Sequence, residues 1–219
     1  MRAGRAEALG ALLPRLAIAA LPEPGGLEPK SLFLPAPARI WLEIGFGGGE
    51  HLVAQAHANP DAAFIGAEPF VNGIAGLLAA VAADGTNSLA ARIRVWPDDG
   101  AELLAALRDA SIDRAFLLFP DPWPKARHHK RRFVNAANLD QLARVLVCGA
   151  EWRVATDDAD YADWILEHVA AHPVFSWRAR RATDWPARPA DWPATRYEAK
   201  ALKAGQKPRF FRFYRRPRR

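Results

Sequence analysis

Residues 39–50 read RIWLEIGFGGGE, and the fold class turns on them. The apolar run Arg39–Gly45 predicts a strand buried on both faces. It passes straight into Gly45-Phe46-Gly47-Gly48-Gly49, and a helical pattern begins at about residue 49. Glycine in such a turn tolerates positive φ and lets the backbone at Gly45 and Gly47 come close to a ligand. The same turn can also be a plain strand-to-helix joint, so the surrounding pattern has to decide.

Outward from this unit, strand candidates at Ala63–Glu68, Ile93–Pro97, Ala115–Pro120 and Trp152–Thr156 alternate with helix candidates at about 49–58, 70–83, 100–109, 131–147 and 158–170. That rhythm predicts an α/β fold with a parallel sheet and helices on both faces. Phe175–Arg181 and Arg209–Arg215 read as a terminal antiparallel pair without a strong helix between them, which brings the sheet to seven strands. Thr183–Thr195 carries Asp-Trp-Pro twice, and Pro186, Pro189 and Pro193 preclude a long helix there. A loop over the end of the sheet is expected, with Trp185 and Trp192 either packed on the domain or free to stack on bases.

The chain divides into an extension, 1–37, and a main domain, 38–219, with a basic tail. In the extension Leu9, Leu12, Leu13 and Leu16 fall at helical spacing, and a lead-in with five prolines follows. Arg2 and Arg5 ahead of an alanine-rich stretch look superficially like a secretion signal. Glu7, Pro14 and Arg15 interrupt it, so an amphipathic helix is the expectation. No uncharged apolar segment is long enough to span a membrane. Cys148 is the single cysteine, which excludes an internal disulfide and a multi-cysteine metal site. It follows an apolar run and is expected in the core of a protein of the reducing cytosol.

The formal charge is +6, and the excess is uneven. Five cations fall between Lys125 and Arg132, and seven between Lys207 and Arg219 with no acid among them. Two such clusters suggest a polyanionic partner such as RNA. The first cluster follows Phe116–Pro124, FLLFPDPWP, in which a buried strand delivers Asp121 and Trp123 to a proline-stiffened turn.

The glycine turn can be pressed toward a cofactor. A dinucleotide fingerprint starting at Gly45 needs glycine at position 50, where Glu50 stands, and Glu43 lies just upstream. Carboxylates there compete with a pyrophosphate for the helix N-terminus and favour a cationic ligand, S-adenosylmethionine over NAD. Glu68, at the end of the second strand, can accept from both ribose hydroxyls. Asp98 or Asp99 can recognise the adenine amine or cap the following helix.

With LEIGFGGG, IGAEP, LLFPDPWPKARHHKRR, VATD and TRYE in this order, residues 40 to 205 resemble the bacterial tRNA (guanine-N7)-methyltransferase family (TrmB). The resemblance implies a Rossmann-like class I methyltransferase fold and methyl transfer from S-adenosylmethionine to a guanine of the tRNA variable loop. Carried over, it puts Glu43, Glu68, Asp99 and Asp121 on the cofactor. A carboxylate near the ring, Asp121 or Asp157, would stabilise the positive charge of the methylated base, and Asp121 is taken as the catalytic residue. The resemblance puts Lys125, Asp157, Thr195, Arg196, Tyr197 and Glu198 on the substrate. Arg127, His128, His129, Lys130, Arg131 and Arg132 would hold RNA phosphates. No metal site is implied, and the two histidines read as phosphate or backbone contacts. His51, His57, His168 and His172 read as helix-surface or helix-end residues. Ala201 stands where the family has glycine, and Phe210 where it has aspartate. A nicotinamide-dependent oxidoreductase and a non-catalytic RNA-binding module are the competing readings; Glu50 argues against the first, and the four retained acids against the second.

Overall fold

Strand β1 (Arg39–Ile44) sends Ile40, Leu42 and Ile44 into one apolar core and Trp41 into a second on the opposite face. Burial on both faces explains why this strand is a continuous apolar run rather than an alternating one. The chain, a computed structural model, is described over residues 3–179, 181, 184–185 and 187–218. Arg2, Thr183, Pro186 and Arg219, used in the sequence reading, lie outside the described residues.

Helix α1 (Ala3–Leu16) precedes β1, and α2 (Glu50–Ala58) follows it. Then come β2 (Ala62–Ala67), α3 (Val71–Ala83), α4 (Ser88–Arg92), β3 (Ile93–Trp96), α5 (Gly100–Ala106) and β4 (Ile112–Leu118). The second half runs α6 (Ala136–Val145), β5 (Leu146–Thr156), α7 (Ala159–Ala171), β6 (Phe175–Trp177), α8 (Arg196–Lys203) and β7 (Arg209–Arg215). The strands form one seven-stranded sheet in the order β3-β2-β1-β4-β5-β7-β6, parallel except for β7, which is antiparallel to both neighbours. Helices α5, α6 and α7 fill one core, and α1, α2, α3 and α4 the other. The expected sheet, its terminal antiparallel pair and the two helical layers are all present.

The N-terminal extension packs onto the domain. Ala8 and Leu16 of α1 are buried in the core shared with α3, and the Ile18 amide donates to the Val95 carbonyl at 2.8 Å.

Four local expectations are corrected. A helix, α8, does stand between the last two strands. Its signal is the Thr-x-x-Glu box at Thr195–Glu198, where Thr195 Oγ1 accepts the Glu198 amide at 3.1 Å; the prolines upstream concealed it. The stretch expected as one helix over 131–147 begins only at Ala136, capped by Asn135 onto the Asn138 amide at 3.0 Å, and residues 126–131 form a 3₁₀ turn. Strand β5 begins at Leu146, six residues before the expected Trp152, because Leu146 pairs with Ile112 of β4. That places Cys148 on the exposed part of the strand rather than in the core.

Candidate active site

The C-terminal ends of β1, β2, β4 and β5 converge on one side of the sheet, where parallel α/β folds place their ligands. Gly45 and Gly47 have φ of 69° and 55°, and the space a side chain at Gly45 would fill is open. Helix α3 reaches the turn through its own glycines: a Cβ at Gly73 would lie 2.4 Å from the Gly47 carbonyl oxygen. A Cβ at Gly76 would lie 3.2 Å from that of Gly48. The sequence reading missed this, although two glycines three apart on a helix are a legible sign of close packing.

Glu68 follows β2 and is buried. Its Oε2 accepts the Gly47 amide at 2.8 Å and its Oε1 the Phe70 amide at 2.9 Å. The carboxylate thus fixes the glycine turn, and each oxygen keeps a lone pair for a ligand. Burial raises its pKa above the ordinary glutamate range, and the nearby charge of Asp121 acts in the same direction. Glu43, also buried, meets His51 Nδ1 through Oε2 at 2.8 Å, and its Oε1 takes no hydrogen bond from a described residue. Asp99 is exposed and caps α5 by accepting the Ala101 amide at 2.9 Å; Asp98 accepts the Asp99 amide at 2.8 Å.

Asp121 projects from a turn flanked by two residues in left-handed backbone, Phe119 at φ 52° and Trp123 at φ 46°. Such conformations cost energy in residues other than glycine and persist where surrounding contacts hold them. The Phe119 amide donates to the Ala155 carbonyl at 2.7 Å, docking the turn on β5. Arg132 holds its other end. Its Nε donates to the Pro122 carbonyl at 2.8 Å, its Nη2 pairs with Asp160, and its guanidinium lies over Tyr161 and Trp164. This corrects the sequence reading, which placed Arg132 on RNA phosphates: the residue is 1% exposed, its Nε and Nη2 are taken by Pro122 and Asp160, and its buried Nη1 has no hydrogen-bond partner among the described residues.

Lys125, Arg127, Lys130 and Arg131 are exposed around the 3₁₀ turn, with Arg131 stacked 4.8 Å above the Trp123 ring. His128 packs edge-on to Trp123; half-buried His129 packs edge-on to Trp164, 3.8 Å from Asp160. Asp157, partly exposed at the end of β5, takes no hydrogen bond from a described residue.

Helix α8 closes over the glycine turn. The Tyr197 ring lies 2.9 Å from where a Cβ on Gly47 would stand and is stacked on Phe119 with centroids 6.5 Å apart. Arg196 pairs with Glu50 at 3.4 Å, and Glu198 pairs with Arg188 at 3.1 Å. Ala201 is buried under the helix, and Phe210 packs on Trp192. Trp192 is buried and Trp185 packs against Trp177, so both tryptophans belong to the domain's packing. His51 is another correction: it is 2% exposed, not on the helix surface.

The structure therefore gathers the glycine turn, Glu68, Asp121 and the α8 residues at one place, with Glu43 beneath and the exposed cations beside it. Buried or convergent acids without a phosphate cradle fit a cationic nucleoside ligand. Sheet order and site together define a class I methyltransferase fold. A family model described as "Putative methyltransferase" matches residues 37–210. The tRNA (guanine-N(7)-)-methyltransferase of Rhodospirillum rubrum is 50% identical, covering 100% of this chain and 85% of the relative. That of Paramagnetospirillum magneticum is 51% identical over 99% of this chain and 90% of its own length. Among solved structures, the 16S rRNA methyltransferase KamB superposes with a TM-score of 0.59 at 13% identity, over 83% of this chain and 89% of that one. The 16S rRNA (adenine(1408)-N(1))-methyltransferase of Catenulisporales acidiphilia superposes at 0.56 with 18% identity, over 83% and 90%. The chain belongs to the tRNA (guanine-N(7)-)-methyltransferase family.

Proposed function

We propose that this protein transfers the methyl group of S-adenosylmethionine to N7 of a guanine in tRNA, in the cytosol. The observation that carries the reading is the shared end of the sheet, where Glu68 fastens the glycine turn, the Asp121 turn docks on β5, and the exposed cations Lys125, Arg127, Lys130 and Arg131 follow in the chain. The names of the relatives at about half identity support the substrate, and a solved rRNA methyltransferase of this fold with cosubstrate SAM supports the cofactor.

Bound at the glycine turn, the cofactor supplies an electrophilic methyl on a sulfonium. Glu68 would accept from the ribose hydroxyls, Glu43 Oε1 would face a cationic group, and Asp99 would stand near the base. The chain needs no general base, because guanine N7 is a neutral nitrogen with an available lone pair. Its work is alignment and charge. The methylated base becomes a cation, and the Asp121 carboxylate, held by the strained turn, stabilises the charge that develops. The same carboxylate can accept from the N1–H and N2 amine of guanine, which adenine cannot offer in that pattern. Asp157 and Thr195–Glu198 would flank the base, and Lys125, Arg127, Lys130 and Arg131 would meet phosphates.

The test is transfer of radiolabel from S-adenosylmethionine to unmodified tRNA, followed by borohydride and aniline cleavage, which reports N7-methylguanine. Label with cleavage at a variable-loop guanine is expected. Folded, cofactor-binding protein that transfers no label would overturn the proposal.

A further inference from the structure

Glu43 is a carboxylate almost sealed from water beneath the glycine turn, and a carboxylate so placed needs a partner that fixes its orientation. His51, one turn into α2, supplies it. Its Nδ1 lies 2.8 Å from Glu43 Oε2, and its ring sits edge-on to Phe116 with centroids 4.7 Å apart. The far side of the ring is engaged as well: Gln55 Nε2 lies 3.3 Å from His51 Nε2.

This second contact decides the tautomer. An amide nitrogen has hydrogens and no acceptor lone pair, so His51 Nε2 must accept, and the ring proton must sit on Nδ1 and point at Glu43. The same Gln55 nitrogen donates to the Asp191 carbonyl at 3.2 Å, while Gln55 Oε1 accepts from Asn59 at 3.2 Å. Asp191 precedes buried Trp192, whose carbonyl accepts from Arg188; Arg188 in turn pairs with Glu198 of α8 at 3.1 Å. Polar contacts, joined through the chain from Asp191 to Trp192, therefore link Glu43 to the helix that lies over the glycine turn.

We infer that His51 is a positioning residue that orients Glu43 toward the cofactor and, through Gln55, ties that grip to the 188–198 lid segment. The inference rests on the function proposed above for the site, and it assigns a buried histidine that takes no part in the chemistry. Its consequence is coupling: disturbing the histidine from one side should be felt at the cofactor, and from the other at the lid.

Three variants of the full chain separate the two sides. His51→Phe keeps the ring contact with Phe116 and removes both hydrogen bonds. His51→Asn keeps a donor at the Nδ1 position but cannot reach Gln55. Gln55→Leu cuts the lid side alone. Calorimetry with S-adenosylmethionine should show affinity reduced by about tenfold or more in His51→Phe, since Glu43 is left buried and unpartnered, and by a smaller factor in the other two, since a tie between grip and lid is felt at both ends. Hydrogen exchange over residues 187–198 should quicken in all three, and KM for tRNA should rise more than kcat falls in Gln55→Leu. Nitrogen NMR of the wild-type imidazole should report a neutral ring protonated at Nδ1. Wild-type cofactor affinity in a folded His51→Phe, unchanged lid exchange in His51→Asn and Gln55→Leu, or an Nε2–H ring would each overturn the inference. If His51→Phe does not fold, the other two variants and the NMR decide. Failure of the wild type to bind S-adenosylmethionine would instead sink the proposed function, and the lid exchange of Gln55→Leu would still decide the link.

Discussion

At the scale of single residues, the candidate site works by holding carboxylates in unequal environments. Asp121 is exposed on a strained turn, whereas Glu68 is buried and fastened to two backbone amides. In the mechanism proposed above, Asp121→Ala removes the charge that would face the developing cation, and the residue is exposed, so the core is untouched. Methyl transfer should fall by about two to three orders of magnitude, with the thermal melting temperature unchanged; single-turnover kinetics and calorimetry check the pair. Glu68 gives a pH signature. Burial holds its pKa above the ordinary glutamate range, so acidification neutralises it at a higher pH than an exposed glutamate. A protonated Glu68 accepts hydrogen bonds poorly, so cofactor affinity should decline on acidification, starting at a higher pH than protonation of an exposed glutamate would give. Calorimetry over a pH series checks this; an affinity that stays flat into the range where exposed glutamates are protonated would remove Glu68 from the pocket. His51 and Arg132 show the limit of reading residue types alone. Both look like surface residues on paper, and both are buried because a carboxylate from another element, Glu43 or Asp160, stands opposite.

At the scale of elements, the segment 120–132 combines a rigid turn with a basic rim, and its cations divide into two kinds. Lys130 and Arg131 are exposed on the 3₁₀ turn, while Arg132 ties the Asp121 turn to α7 through Asp160. The double variant Lys130→Ala, Arg131→Ala should weaken tRNA binding and reduce the slope of log Kd against log salt by roughly 1.5, leaving stability alone. Arg132→Lys should do the opposite. A lysine has no planar fork to bridge the Pro122 carbonyl and Asp160, so the melting temperature and the transfer rate should fall while the salt slope stays. Filter binding at several salt concentrations, beside thermal melts, distinguishes the two. Helix α8 belongs to this scale too: the Thr195–Glu198 box gives it a start, and only its packing puts Tyr197 over Gly47.

At the scale of the whole molecule, two apolar cores flank the sheet, but a charged cluster lies across β4, β5 and β7. Glu151 is buried among Arg153 at 3.0 Å, Arg114 at 3.3 Å and Arg212, and Arg153 also pairs with Asp191, a few residues ahead of α8. Burial alone would raise the Glu151 pKa, yet the three guanidiniums prevail and hold it below the ordinary range. A carboxylate depressed on folding stabilises the native state above its unfolded pKa and loses that contribution as pH falls through the folded value. Glu151→Gln should therefore cost about 2 kcal/mol near neutral pH, since Arg153 keeps Asp191. The deficit should close on acidification, where the wild type loses the same charge. Urea unfolding at pH 7 and at a series of pH values from 4 downward measures both; a deficit that does not shrink along the series would mean the cost is packing.

Much of this was legible beforehand for a physical reason. Strand runs such as IWLEI and FLLF, the glycine turn and the PDPWPK turn depend on local backbone preference and on burial on both faces, and both are written in neighbouring residues. The order of alternating strands and helices followed, and with it the end of the sheet where Glu43, Glu68 and Asp121 meet. The fates of Cys148, His51, Arg132 and α8 depended instead on partners 8 to 150 residues away or on a strand's register. By itself the sequence determined the fold class, and it picked out the candidate acids and the basic stretch beside them. Tertiary structure alone decided which cation became a clamp, which histidine became a brace and where the lid helix came to rest, because burial and pairing of charge are properties of the assembled neighbourhood.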